Sequence, residues 1–498
     1  MKTLIEYRNM KQMKKLLKLL LIFVFFMIIS CESEDGDDAD DSSDSTKVES
    51  SSDYEWDSSS EISITLNGTS ISASSTVVSV SGSTATITAG GCYSVSGTLT
   101  NGQIVVYAKN QDVKIKLNGV TVANSSGSPL LIEKAEKAIV FLADGTTNTF
   151  TDASSYSNSD ISNACIYSKT YLAITGAGIL NVTGKYQDGI ASADELIINN
   201  GIITVTAVDD AIRGKDYLKI NDGTIKATST TGHALKSDND ESTGLGYVQI
   251  DGGTMTLAST SGKGIKALNK YIQNDGNITI TKSYEGIESA NITINGGTLN
   301  LIATNDGLNA TKGTTAGGTE SSDGSSVNIT GGTVIANVTN GDALDSNGTL
   351  SITGGVVVVN GPSSGDGDGA DVNGSFTISG GTVVIAGKSL SIGGMNGSSI
   401  SGSQPYIKLS GSISSSTLAD LRINNTDIIT FKPKYGGTSF ILSSSNMTKG
   451  ASYTIYAGGS YSTTANSGGY YSGGTYTAGT SKASGTLSSS GTANTVSL

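Results

Sequence analysis

The sequence predicts an all-β chain: a right-handed parallel β-helix, or solenoid, with a small C-terminal β cap or module. Three observations predict it. A unit of nominally 22 residues recurs from about residue 160 to 390. Inside each unit, short runs alternate apolar and polar residues and end in Asn/Asp-Gly pairs, the pattern of strands with one buried face joined by tight turns. The composition disfavours helices: 64 of 498 residues are Gly, and Ser, Thr, Val and Ile dominate the rest.

The chain begins with a leader pattern. Lys14-Lys15 precede an apolar run from Leu19 to Ile29, eleven residues long, where a membrane span needs about 20. That length fits the apolar region of a signal peptide. Ser30-Cys31 follows, then acid at once, a pattern that resembles a bacterial lipobox with Cys31 as the lipidated residue. The expected location is the cell envelope, with the protein lipid-anchored to a bacterial membrane and exposed at the surface or secreted. Residues 32–61 hold thirteen acidic residues and one lysine, a net −12. They cannot bury a core, so a disordered acidic tether is expected. With +5 on residues 1–31, only −6 remains for 62–498, and no basic patch suggests nucleic acid.

Residues 62–150 read as a β lead-in, with early strands in the runs Ile104–Tyr107, Val113–Gly119 and Ala138–Gly145. The repeats follow, and the β-helix is expected to extend over 62–390. One half of each unit reads X-[Gly/Ala]-[Ile/Leu], with X at Asp188, Asp210, His233, Lys263, Glu285, Asp306, Asp342 and Asp368. The spacings are 22, 23, 30, 22, 21, 36 and 26, the long ones holding Gly/Ser/Asp-rich insertions. The other half reads apolar-x-apolar, turn, apolar-x-apolar, as in Ile292-Thr293-Ile294-Asn295-Gly296-Gly297-Thr298-Leu299. Hairpin meanders in a sandwich or barrel are the rival arrangement. Repetition of very short strands favours the solenoid, in which stacked coils bury together what one coil cannot bury alone. Parallel crossovers are usually right-handed. Residues 391–498 lose the repeat and gain Gly, Ser and Tyr, as expected of a cap and short β module, with a partly disordered tail after about 460 as the alternative.

Leu117-Asn118-Gly119, the block Ala138 to Asn148, the Asp-Gly-Ile and Gly-Gly-Thr coils, Tyr453-Thr454-Ile455-Tyr456 and Gly473-Gly474-Thr475-Tyr476 together resemble a family of secreted bacterial carbohydrate-binding domain proteins. The resemblance spans roughly residues 62–498. It implies a parallel β-helix similar to that of pectate lyases, binding to cellulose or pectin-like polygalacturonate, and bound calcium. His233 and Lys263 break an otherwise acidic file, and the family's binding residues do not transfer one by one.

The residues themselves suggest four sets. Stacked coils place equivalent residues about 4.8 Å apart, so like charges in file need an offset. The acids Asp188, Asp210, Glu285, Asp306, Asp342 and Asp368, with Glu288, Asp345 and Asp371 three positions on, are candidate calcium ligands, since calcium takes six to eight oxygens. Asp366, Asp368 and Asp371 form the best local group. The alternative is that Asp-Gly simply makes turns. Arg213, Lys215, Lys236, Lys263 and Lys266 form a basic stripe that can pair with sugar carboxylates or neutralise the acids. Tyr171, Tyr217, Tyr247 and Tyr271 each precede a strand start and are expected to face outward, as a ladder for sugar rings or packed on one another. Cys165 reads as core, no disulfide with Cys92 is supported, and His233 reads as a surface residue.

Composition excludes several chemistries. One His and three Cys cannot build a zinc site, and a Ser-His-Asp triad would fall wholly on His233. No catalytic constellation stands out. The expected function is a monomeric surface lipoprotein that binds polysaccharide, cellulose or a pectin-like acidic glycan, with calcium. One alternative is a calcium-dependent pectate-type lyase with Lys236, Lys263 or Arg213 as the base. Another is a structural adhesin or matrix rod.

Overall fold

A computed structural model describes residues 47–313, 321–393 and 399–498. The leader, Cys31 and residues 32–46 of the acidic tract lie outside the described residues. Apart from two short 3-10 turns, Ser51–Tyr54 and Ser58–Ser60, every named element among the described residues is a strand.

Each coil is a triangle of three strands. Ile212–Gly214, Tyr217–Ile220 and Thr224–Ser229 make one coil, and we call the surfaces they belong to the first, second and third faces. The next coil stacks on it in parallel register: Ile212 opposite Leu235, Tyr217 opposite Tyr247, Thr224 opposite Thr254. The stacking continues through the first-face strand Ser391–Ile392. This is the parallel β-helix that the repeat predicts. Alternation sends every second side chain inward. On the first face Ile190, Ile212, Leu235, Ile265, Ile287, Leu308 and Leu344 stack in one buried column. On the third face Val182, Val205, Ala227, Leu257, Ile280 and Leu301 form another.

The small residue of the X-[Gly/Ala]-[Ile/Leu] motif follows from this geometry. It sits where the third face meets the first and points into the core. A Cβ added at Gly189 would lie 2.2 Å from Val205 Cγ1, so the corner leaves no room for a side chain. At the opposite corner, between the second and third faces, asparagines tie coil to coil. Asn199 Nδ2 donates to Thr175 Oγ1 (3.0 Å), Asn221 to Asn199 (3.1 Å) and Asn295 to Asn274 (2.8 Å). A bond of this kind contributes about 0.5–1.5 kcal/mol net.

The C-terminal end is closed by a change of direction. Gly437–Ser444 pairs antiparallel with the last third-face strand, Thr382–Gly387, and Tyr406–Ile413 continues that sheet. A separate five-stranded sheet, including Ala419–Ile423, Ser452–Tyr461 and Tyr476–Thr486, shares a second core with the end of the solenoid's sheet, in which Leu421 and Phe431 pack with Phe440, Val358 and Val384. Strands therefore continue beyond residue 460, through Ala493–Ser497.

Two expectations are corrected. First, the tether was to be disordered through residue 61, yet residues 47–61 lie along the solenoid. Their acids meet lysines on the second face: Glu49 with Lys219 (2.7 Å), Asp53 with Lys137 (3.0 Å) and Glu61 with Lys116 (2.6 Å). Composition predicts disorder only when nothing complementary is near. Second, Tyr271 faces inward and is fully buried. Tyr247 pairs with Lys270, so Lys270 takes the outward column and Tyr271 joins Val248 in the core. Its hydroxyl meets Gln273 Oε1 at 3.1 Å, and burial pushes the phenol far above its usual range.

Candidate functional site

The corner that opens the first face carries two adjacent files. One is the X column. The other is the outward column of the first face, in which Ala191, Arg213, Lys236, Lys266, Glu288, Asn309, Asp345 and Asp371 follow one another. Both follow from the repeat, since each motif places X and X+3 on the same side.

The X residues first serve the fold. Asp188 Oδ1 accepts the N–H of Asp210 (3.1 Å), and Asp210 Oδ1 accepts that of His233 (2.8 Å). His233 Nδ1 accepts that of Lys263 (3.0 Å), and Asp306 Oδ1 that of Asp342 (2.8 Å). Asp342 in turn accepts from Asp368. The position asks for a hydrogen-bond acceptor, which a neutral imidazole supplies as well as a carboxylate. His233 is therefore a coil-to-coil link. Burial, with Lys236, Lys263 and Lys266 around it, holds its imidazole down to about 4 despite Asp210.

Charge divides the files into three stretches. In the first, the basic stripe neutralises the acids. Arg213 Nε reaches Asp188 at 3.0 Å, and Lys236 Nζ reaches Asp210 at 2.9 Å and Asp238 at 3.1 Å. Asp188, Asp209 and Asp210 each turn an oxygen to within 4.8 Å of the others. Burial pushes Asp188 up to about 7 even with Arg213 beside it. In the second stretch Lys263 pairs with Glu285 (3.7 Å) and Glu288, and Lys266 also contacts Glu288. Burial, together with Lys263 and Lys236, holds Lys266 down to about 8, with Glu285 opposing.

The third stretch differs. Asp306, Asp342 and Asp345 converge, one oxygen from each lying within 4.8 Å of the others. Among the described residues no lysine or arginine forms an ion pair with any of the three. Burial first, then neighbouring carboxylates, pushes Asp345 up to about 9; burial likewise brings Asp342 to about 7 and Asp306 to about 6. Asn309, between Glu288 and Asp345 in the outward column, gives its Nδ2 to Glu285 (3.2 Å). Among the described residues its buried Oδ1 has no donor. Three carboxylates short of positive charge and an unsatisfied amide oxygen make a set of hard oxygen donors of the kind calcium takes. A divalent cation fits this donor set, and Asp306, Asp342, Asp345 and Asn309 would hold it.

The other expected residues fall apart from this cluster. Asp366 is exposed in its loop, and Asp368 is satisfied by the hydroxyls of Ser389 and Ser391 (2.6 Å). The 366–371 loop thus does not gather its three carboxylates into one group; Asp371 instead lies beside Asp345 in register. Glu285 is committed to Lys263. Arg213, Lys236, Lys263 and Lys266 do form one stripe, on the first face. Tyr217 and Tyr247 stack with ring centres 4.8 Å apart, but on the second face, so this first-face stripe and the tyrosines do not share a surface. Asp209, Asp238 and Asn309 were not singled out by sequence. Asn309 was within reach, since it stands three positions after Asp306 just as Asp345 follows Asp342.

The chain resembles known proteins in three comparisons. A family model described as carbohydrate-binding domain-containing protein matches residues 81–365. A carbohydrate-binding domain-containing protein of Acetivibrio thermocellus is 40% identical over 135 residues, which are 26% of this chain and 47% of the relative. The match thus spans about half the relative's length. A solved structure of the polysaccharide lyase-like protein from C. thermocellum, a gadolinium derivative, is 29% identical with a TM-score of 0.42, over 51% of this chain and 98% of that one.

Proposed function

Because the chain belongs to the carbohydrate-binding domain-containing protein family, we propose that it binds polysaccharide along the first face, and that the ligand is an acidic, uronate-bearing glycan. The observation that carries this reading is the convergence of Asp306, Asp342 and Asp345 without a cationic partner beside the donor-free Oδ1 of Asn309. Left alone, such a group must take up protons. With calcium held there, positive charge would be available to sugar carboxylates. Lys263 and Lys266, one stretch away in the same files, add ammonium groups on side chains 21% and 23% exposed that can hydrogen-bond an anionic chain. A chain lying along the file would meet both stretches in succession.

Lys266 favours a second reading, a lyase, because a lysine held down to about 8 is suited to take a proton. Its contact with Glu288 weighs against that role. One experiment separates the two: the protein is mixed with polygalacturonate, cellulose or a neutral glycan, with calcium or chelator. Depletion of protein and absorbance of unsaturated product are read together. Calcium-dependent depletion by polygalacturonate without new absorbance is expected. Rising absorbance would make Lys266 a catalytic target, and absence of both would leave the rod reading. We further propose that Cys31 carries lipid and holds the protein at the bacterial envelope; a Cys31→Ser chain recovered with the membrane fraction as fully as the wild type would refute this.

A further inference from the structure

Residues 47–61 cover part of the second face, and the way they are held is informative. Among the described residues no main-chain to main-chain hydrogen bond joins this segment to the solenoid. Side chains do the holding. Going back along the coils, Glu49 pairs with Lys219, Asp53 with Lys137 and Glu61 with Lys116. Between them two rings dock on an apolar surface. Tyr54 packs against a buried cluster that includes Ile139, Tyr171, Ile197 and Tyr217. Trp56 meets Phe141 edge-on at 5.2 Å, with Lys116 4.0 Å over its indole.

The segment thus offers carboxylates to a row of lysines and flat rings to a row of aromatics. An acidic polysaccharide offers the same two things: a carboxylate on each uronate, and flat C–H faces that pack on aromatic rings. The lysines and tyrosines ride on stacked coils about 4.8 Å apart, Lys116 and Lys137 on neighbouring coils and Lys219 three coils beyond Lys137, so they form an extended track rather than a pocket. Acids lie beside the track as well: Glu195 is buried, accepts the Lys47 N–H at 2.8 Å and is pushed up to about 7 by burial, Asp194 pairs with Lys47 Nζ (3.4 Å), and Asp251 lies 3.8 Å from Lys219.

We propose that the second face around Lys137, Tyr171, Tyr217 and Lys219 is a further binding site for an acidic polysaccharide, and that residues 47–61 are its built-in occupant, displaced when the polymer binds. The inference rests on the acidic-glycan reading of the first face but concerns a different surface. The site is closed in the free protein and opens by exchange of one polyanion for another.

The test uses the full chain and polygalacturonate, in chelator, so that calcium-dependent binding at the first face is silent. The segment is neutralised as Glu49→Gln/Asp53→Asn/Glu61→Gln, amides that keep the shape of the acids. Surface ion pairs contribute up to about 1 kcal/mol each, so loss of three raises affinity about tenfold or more. Adding Lys137→Ala/Lys219→Ala to that variant returns binding to the wild-type level or below. On the unmutated chain, hydrogen exchange should find the hydrogen-bonded amides of Lys47, Ser50, Asp53 and Glu55 protected alone and deprotected with polygalacturonate. A neutralised variant that retains its circular dichroism yet binds no better overturns the proposal. So does protection of 47–61 that polygalacturonate leaves untouched. Calcium-dependent binding that persists beside either result leaves the first-face reading standing, whereas no binding in calcium or chelator overturns both.

Discussion

Substituting Asp345 by Asn asks whether the third stretch of the file is an under-neutralised cation site. Two ionised carboxylates 4.8 Å apart repel by about 3.5 kcal/mol at an effective dielectric constant of about 20. Asp345 faces Asp306 and Asp342 at such distances, so its proton is retained instead, and burial with these neighbours pushes it up to about 9. The sign follows from linkage. The folded-state value lies above the unfolded value of 3.8, so this group's contribution to stability is fully present below pH 3.8 and is lost as pH rises toward 9. Inside that window the loss approaches about 1.4 kcal/mol per pH unit. In chelator, therefore, raising the pH from about 6 to about 7 should cost the wild type up to about 1.4 kcal/mol more than Asp345→Asn, read from urea unfolding midpoints. Calcium should reverse the ranking. At a hundred times its dissociation constant it adds about 2.7 kcal/mol to the wild type, and much less to the variant that lacks one ligand charge. Equal pH dependence of the two chains in chelator would refute the electrostatic reasoning. Equal stabilisation by calcium would refute the assignment of the ligands.

Three other outcomes are expected. His233→Asn keeps an acceptor for the Lys263 N–H but removes a titrating group; because the imidazole is held down to about 4, the wild type should lose stability as pH falls from 6.5 toward 4, at up to about 1.4 kcal/mol per unit, relative to the variant. Urea midpoints at two pH values check it. Lys236→Ala strands the buried Asp210 and should cost about 2 kcal/mol, less than the roughly 3–5 of a fully buried pair because the lysine is part-exposed; Asp210→Asn in the same chain should recover part of it. Gly286→Ala puts a Cβ 2.4 Å from the Gly307 carbonyl oxygen and 2.8 Å from Leu301, so about 1–3 kcal/mol should be lost in a denaturation curve.

The solenoid was legible because a repeat of short strands leaves few other ways to bury its apolar alternation. The two charged files were legible too, since the motif fixes X and X+3 on one edge. What the apolar-x-apolar pattern alone did not convey is register at one strand start. Tyr271 stands eight positions after Lys263 where Tyr217 stands seven after Asp210, so Lys270 takes the outward place and the tyrosine becomes a core residue. Nor could composition foresee the docking of residues 47–61: thirteen acids in a tract describe a repelling chain until Lys116, Lys137 and Lys219 are seen on one face of the solenoid opposite some of them. The lysine stripe and the tyrosine ladder were each discernible along the sequence. Their separation onto different faces depends on where each coil turns its corners.

The hydrogen bonds from one X residue to the next coil's N–H have an evolutionary consequence. At Asp188, Asp210, His233, Asp306 and Asp342 the corner uses a lone pair, and charge is incidental to it; Lys263, with none to offer, holds the same column. Asp, Asn or neutral His satisfies the backbone equally, so the sign and density of charge along that edge can be rewritten coil by coil while the scaffold stays the same. A lineage could thus retune which polymers the edge attracts through single substitutions. The tandem coils would act as a row of independent characters rather than as one site that must change all at once.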